Sequence, residues 1–424
     1  MTFNKKRALD YMSRYNLDVL IATSPTTMTY FADSACWLDP KFKQYMMMPG
    51  ASAHLMPTTT FAIFPAEGAP ALVIDTQFSA NTIDSWIDDL YLVGNASPDG
   101  QFAPNIQSDS ERAFFSSLDK ATYHTKPVEA LLNLLKSRGL TDSQIGLEMD
   151  GIHPDLKTSV DQTLPRASIK DCSNLIRLIR MVKTEEEVNR LTKATEISEK
   201  AADESINSAH SGRPISDVVR AYRTRIAEQG ADFEHFAYSL RGLGIATEPD
   251  YLLTDGDFLF VDFGCTYRNY VSDSGFTLAM RPLSDSQIDK YNTLHACIQA
   301  GVETIKPGTK SSEIQTAMAQ ILDQKNVQAS LPHGHGLGLE IRDYPIIVPK
   351  NGLYICDGCI GISSDLPLET NMVVNLEVSI FRLETSALHI EKSLSCYSNR
   401  LSTFDSSRSR IAPITKNIII SRPN

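Results

Sequence analysis

The sequence predicts an α/β domain followed by a larger α+β domain. Three observations carry that expectation. Short apolar runs alternate with helical stretches over roughly the first 175 residues. From about 180 to 400, two helix–helix–hairpin units follow in tandem. Both hairpins place carboxylates inside otherwise apolar strands. The chain has 424 residues, 42% of them apolar, which suffices for two domains with cores of their own.

In the first domain, residues 19–22, 61–64 and 71–74 read as buried strands bounded by turn residues. Residues 127–140 read as an amphipathic helix that stops at Gly139. Tyr30, Phe31, Trp37, Tyr45 and Met46-Met47-Met48 form a soft, aromatic-rich segment, for which core packing is the default reading. No chemical motif stands out here. A boundary falls near 172–184. Thr184 and Glu187 then form a capping box, and Val188, Leu191, Ala194, Ile197 and Ala201 give a helical stripe. A second helix covers 216–229 and stops at Gly230, before a hairpin over 257–280. The pattern repeats: Ser284 and Gln287 open a helix to about Ile305, another covers 311–325, and a hairpin covers 372–396. The polar stretch from about Ser398 reads as a solvated surface tail over 401–424.

The net charge is −11, and no basic block interleaves with aromatics, so nucleic acid is an unexpected partner. No run has the length to span a bilayer, and the basic start meets Asp10 rather than an apolar signal core. A cytoplasmic protein with no membrane partner is expected. Seven scattered cysteines fit reduced thiols. Cys356 and Cys359 form a lone CxxC with no second ligand pair nearby, so a reduced loop is expected there rather than zinc.

Five residues read as one binuclear metal site: Asp262, Asp273, His335, Glu377 and Glu391. One imidazole and four carboxylates make a hard, oxygen-rich set that suits Mn, Zn, Co or Fe in pairs. Asp262 and Asp273 are 11 residues apart; a turn between Tyr267 and Arg268 would set them opposite each other. Glu377 and Glu391 are 14 apart, so a hairpin centred on Glu384 does the same. His335 lies among Gly334, Gly336 and Gly338, which let backbone approach a ligand closely. Taken singly, each carboxylate is more often an edge residue or half of a salt bridge. Their concurrence decides, because four unpaired buried carboxylates would be prohibitively costly.

At these residues the chain resembles the pita-bread metallohydrolases, the family of methionine aminopeptidase, aminopeptidase P, prolidase and creatinase. The ordered set Asp262, Asp273, His335, Glu377 and Glu391, with the loop Gly334-His335-Gly336-Leu337-Gly338, carries the resemblance. It implies a fold of class α+β: a creatinase/prolidase-type N-terminal domain over 1–175 and a pita-bread catalytic domain over 180–400. It also implies a homodimer whose N-terminal domain closes over the partner's active site. Its chemistry would be an Xaa-Pro peptidase-like hydrolysis. A metal-bridged hydroxide would attack an amide carbonyl, Asp262 and Asp273 would be bidentate or bridging, Glu391 would also bridge, and Glu377 would bind metal and relay the proton.

Departures from the family pattern lie on the substrate side. The histidine usual about 17 residues before the first aspartate falls in Gly244-Ile245-Ala246. The one seven residues after the metal histidine is Arg342, the one four before it is Leu331, and an arginine three after the second aspartate is Phe276. Arg342 is therefore the candidate for holding a substrate carboxylate, against a structural ion pair with Asp343 or another acid. Tyr344 is a candidate oxyanion donor, against packing, and His333 a candidate for a lost histidine role. The expected substrate is a short peptide or other small molecule. Two rivals stand beside the peptidase: a hydrolase or lyase acting on a small carboxylate-bearing compound, as this fold also hosts, and a non-catalytic binding protein.

Overall fold

The computed structural model describes residues 1–34, 60–94, 105–383, 386–396, 401–403 and 418–420. They divide into two compact units: Met1–Arg180 with Tyr354–Ile362, and Met181–Leu353 with Ser363–Asn424.

The N-terminal unit is built on a seven-stranded mixed sheet. Its spatial order is Thr122–His124, Leu90–Val93, Ala71–Asp75, Phe61–Pro65, Val19–Ala22, Gln144–Leu147, Ser168–Asp171. The three strands expected from apolar runs are all present. Val19, Ile21, Phe61, Ile63, Leu131 and Leu134 meet in its core, where alternate strand residues face the Pro127–Ser137 helix. That helix stops before Gly139, whose φ of +68° suits a residue without Cβ. Tyr30 and Phe31 are buried against Phe3 and Phe64, which is the packing reading of the aromatic segment; Trp37, Tyr45 and Met46 to Met48 lie outside the described residues. The Tyr354–Ile362 arm brings Cys356 and Cys359 to this unit. There Asp357 accepts from the amides of Leu175 at 2.8 Å, Cys359 at 2.7 Å and Ile360 at 2.8 Å. Both cysteines are free, and among the described residues no metal-ligating cluster involves them.

The second unit contains both predicted helix–helix–hairpin repeats. Helices Glu185–Ser205 and Ile215–Glu228 cover a sheet ordered Ile418–Ile420, Ser274–Ala279, Phe258–Tyr267, Asp232–Leu240, Leu243–Ala246. Helices Asp285–Thr304 and Ser311–Lys325 pack against a second sheet ordered Asp343–Ile347, His333–Gly336, Val373–Leu383, Ser386–Cys396, Leu401–Thr403. Both capping boxes form, at Thr184/Glu187 and Ser284/Gln287. Of the expected tail over 401–424, residues 404–417 and 421–424 lie outside the described residues. Leu401–Thr403 extends the second hairpin, and Ile418–Ile420 adds in parallel to Thr277, Leu278 and Ala279. Three consecutive isoleucines suit a strand whose backbone is paired, and the polar residues around them hid that signal.

Glu187 does more than cap. Its carboxylate accepts from the Thr184 amide at 2.7 Å and the Tyr270 hydroxyl at 3.2 Å. Burial raises its pKa from near 4.5 to about 7, against the opposing pull of Lys183. An acid raised in the fold costs stability as pH climbs from its unfolded to its folded value. Glu187→Gln keeps the cap and removes that cost. The variant is therefore expected to gain on the wild type between pH 5 and 8, by up to about 3 kcal/mol at 1.36 kcal/mol per pKa unit. Parallel melting-temperature profiles across that range would contradict the assignment.

Candidate metal centre

Strand alternation builds the first wall of the site. Leu259, Val261, Phe263 and Cys265 enter the core beneath the helices, which turns Phe260, Asp262 and Gly264 to the opposite face. The turn of this hairpin falls at Arg268 and Asn269, with φ of 47° and 71°, in the left-handed region that two-residue hairpin turns need. That is one residue later than the turn expected. Asp262 therefore pairs with Gly275, not with Asp273, and the two aspartates are diagonal neighbours on one face. The absent side chain at Gly275 matters: a Cβ there would lie 2.2 Å from His389 Nε2 and 2.7 Å from Glu391 Oε2.

The second wall follows the expected register. Glu377 lies directly opposite Glu391, with Asn375 opposite Ser393 and Ser379 opposite His389. These polar residues share a face, while Leu376, Val378, Leu388 and Ile390 are buried on the other. On the neighbouring strand His333 is opposite Glu377 and His335 opposite Asn375. His333 Nε2 is 2.8 Å from Glu377 Oε1. His335 Nε2 is 3.3 Å from Asp273 Oδ2 and 3.9 Å from Glu377 Oε1.

Asp262, Asp273, His333, His335, Arg342 and Glu377 all line one cavity of about 210 Å³. Glu391 is buried next to it, with His389 Nε2 at 3.3 Å from its Oε2 and the Asn375 amide donating to its Oε1. Of the three positions where the usual histidines are absent, Ile245 and Arg342 are on the cavity wall and Leu331 is not among the lining residues. The Arg342 guanidinium is mostly exposed and 4.0 Å from Glu377 Oε1. Of the acids that could pair with it, Asp343 is instead beside Lys183, and Glu377 is the one near its guanidinium. Tyr344 is half-buried and is not among the lining residues. Phe276 belongs to the hydrophobic core beneath the helices.

One lining residue was not anticipated. His235 is on Asp232–Leu240, opposite Gly264. Its Nε2 is 2.8 Å from Asp262 Oδ1 and 3.5 Å from Asp273 Oδ1. It lies 27 residues before Asp262, well beyond the spacing of about 17 at which the family histidine falls. A signal was present, because Phe236 and Tyr238 are core residues, and alternation then turns His235 and Ala237 toward the site.

Charge is concentrated in this small volume. Burial, then the charges of Asp273, Asp262 and Glu377, drives Glu391 well above the usual carboxylate range. Asp262 rises to about 6, by burial and the charge of Asp273 against the hydrogen bond from His235. Burial opposes ionisation of Glu377 too, but His333 bonded to it, with His389 and His335 nearby, holds it at about 2. Burial disfavours charge on His235, yet Asp262 and Glu234 bonded to it raise it to about 10. Burial alone outweighs all else at His389, which falls to about 4.

Such a donor set fits divalent cations. Carboxylates crowded enough to raise each other's pKa are relieved by a cation between them, and oxygen donors with imidazole nitrogens suit first-row divalent metals. His235, Asp262 and Asp273 each offer a ligand atom within 4.8 Å of the others. From the other side His335 lies between Asp273 and Glu377, at 3.3 and 3.9 Å.

Comparison with known proteins places these elements. Residues 244–396 match the model of metallopeptidase family M24, a span that includes all five predicted ligands, and residues 5–182 match the creatinase/prolidase N-terminal domain. An uncharacterised peptidase of Bacillus subtilis is 26% identical over 271 residues, covering 62% of this chain and 72% of that protein. A Xaa-Pro dipeptidase of Pyrococcus horikoshii is 24% identical over 260 residues, covering 59% and 70%. In fold, the prolidase of Pyrococcus horikoshii aligns with a TM-score of 0.68 at 17% identity, over 94% of this chain and 97% of that one. An X-Pro aminopeptidase of Thermotoga maritima aligns with 0.69 at 16%, over 93% and 97%. Among the described residues no helix is long and apolar enough to cross a membrane. With its creatinase-type N-terminal domain and a carboxylate–histidine centre between two hairpins, the chain belongs to metallopeptidase family M24, the hydrolases of the pita-bread fold.

Proposed function

We propose that the chain is a dinuclear-metal hydrolase of the Xaa-Pro peptidase type, acting on a short peptide held in part by Arg342. The observation that carries this reading is the convergence of Asp262, Asp273, His335 and Glu377 on one cavity, with Arg342 on its wall. A volume of about 210 Å³ suits a ligand of dipeptide size better than a larger one. The similarity to a Xaa-Pro dipeptidase supports the same class.

In this reading Asp262, Asp273, His335, Glu377 and Glu391 hold two divalent ions, drawn from Mn, Zn, Co or Fe. The bound pair supplies Lewis-acid polarisation of the scissile carbonyl and activation of water. Glu377 is ionised across the physiological range, so it can accept a proton and deliver it to the leaving nitrogen. His333 orients that carboxylate through its 2.8 Å contact. Arg342 reaches the cavity with an always-charged planar fork and pairs with the substrate carboxylate.

The decisive experiment is hydrolysis of Xaa-Pro dipeptides and longer Xaa-Pro peptides by purified, Mn-loaded protein beside an EDTA-treated control. Metal-dependent cleavage is expected. No cleavage by protein shown to hold two metal equivalents would overturn the peptidase reading and direct the search to small carboxylate-bearing amides and ring compounds. Within the same assay, Arg342→Ala is expected to raise KM about tenfold or more, with metal content and kcat little changed, as loss of a charge-assisted pair predicts. An unchanged KM would remove Arg342 from substrate recognition.

A further inference from the structure

The five predicted ligands are unequally distributed between the two ends of the site. On one side His335 supplies an imidazole beside Asp273 Oδ2 and Glu377 Oε1, at 3.3 and 3.9 Å. On the Asp262 side the predicted set offers only carboxylate oxygens. His235 occupies the corresponding place there. Its Nε2 is 2.8 Å from Asp262 Oδ1 and 3.5 Å from Asp273 Oδ1. Asp273 thus turns one oxygen toward each imidazole.

The surroundings of His235 are those of a ligand rather than of a surface histidine. Its side chain is largely buried on the cavity wall. Its other ring nitrogen, Nδ1, contacts the Glu234 carboxylate. That contact leaves Nε2 facing Asp262 and Asp273, in the manner of the outer carboxylates that orient metal-bound histidines. Room for the ring comes from the neighbouring strand: a Cβ on Gly264 would meet His235 Cε1 at 2.6 Å and Nδ1 at 2.8 Å.

We propose that His235 is a sixth metal ligand, giving the Asp262 side of the pair an imidazole donor of its own, with Glu234 as its orienting residue. This rests on the dinuclear reading above. Each metal position then has one imidazole and at least one carboxylate of its own, with Asp273 shared between them. A second nitrogen donor shifts that position away from a purely hard, oxygen-only environment and toward Co and Zn relative to Mn.

The test is metal binding to the full chain, independent of turnover. Apo protein is titrated with Co(II) by calorimetry, with the visible d–d spectrum recorded at each addition, for the wild type, His235→Ala, His235→Asn and His335→Ala. The wild type is expected to take up two equivalents with two distinguishable spectral increments. Both His235 variants should keep one equivalent at wild-type affinity and weaken the other at least about tenfold, the scale of loss seen when a metal's supporting shell is damaged. His335→Ala should weaken the opposite equivalent. Two equivalents bound by both His235 variants, with unchanged affinities and spectra, would overturn the assignment and leave His235 a hydrogen-bonding neighbour of Asp262. A wild type that binds no Co(II) would sink the dinuclear reading as well. His235→Asn retains polarity and nearly fills the same slot, so a folding defect confined to His235→Ala does not obscure the result.

Discussion

Asp273→Ala is expected to abolish metal-dependent turnover, by at least about a thousandfold, because a hydrolase of this kind depends on the metals it would lose. Asp273 is the shared member of the site: one oxygen lies 3.5 Å from His235 Nε2 and the other 3.3 Å from His335 Nε2. It connects the His235 and His335 sides of the site, so in the proposed dinuclear centre its loss affects both metal positions together. The stability consequence has a distinctive form. Metals that bind only the folded chain raise its melting temperature, so the gap between metal-loaded and EDTA-treated protein should collapse in the variant. The EDTA-treated melting temperature itself should change little. Removing Asp273 loses buried contacts but also removes a negative charge that pushes up Asp262 and Glu391. Metal content by elemental analysis and paired melts with and without EDTA check this. Wild-type metal content and an intact melting gap would show that Asp273 is not a ligand.

The second large effect concerns a buried ion pair next to the His335 loop. Lys183 Nζ is 3.1 Å from Asp343 Oδ2, with the two side chains only 1% and 0% exposed. Asp343 faces Gly336 across the ladder, one residue from His335. A Cβ on Gly338 would press on both partners, at 2.8 Å from Asp343 Oδ2 and 2.9 Å from Lys183 Nζ. Desolvating two charges is costly, so such a pair is not strongly stabilising against an apolar substitute; breaking it leaves one charge uncompensated. Lys183→Met is therefore expected to destabilise by about 3–5 kcal/mol. Lys183→Met/Asp343→Leu should recover a large part of that loss, since both charges of the pair are removed. Chemical denaturation of the wild type, the single variant and the double variant measures both. A single variant within about 0.5 kcal/mol of wild type, the range of ordinary surface substitutions, would contradict the account.

Arg342 shows how far spacing alone can reach. Its position seven residues after His335 marked it as a substitute for a family histidine, and the structure brings it to the cavity with Ile245, another of the substituted positions. What spacing left open was its partner. Asp343 is beside Lys183, 160 residues away in sequence, and the acid near Arg342 is Glu377.

What was legible in the residues is what short-range chemistry controls. Capping boxes at Thr184 and Ser284 started their helices where expected, because a side chain three residues away satisfies the exposed amides. Period-two alternation told which strand residues face the core, and it set Glu377 opposite Glu391 once the hairpin was centred on Glu384. What tertiary structure alone decided depends on partners distant in the chain. The first hairpin turned one residue later than expected, at Arg268 and Asn269, and so paired Asp262 with Gly275. His235 joined the carboxylates only because Asp232–Leu240 aligns beside Phe258–Tyr267 with Gly264 opposite. Ile418–Ile420 found a parallel partner and Tyr354–Ile362 joined the N-terminal unit. Helix caps and alternation are encoded within a few residues of where they act; register, strand addition and buried charge pairing are settled by which surfaces meet, and no local pattern records that choice.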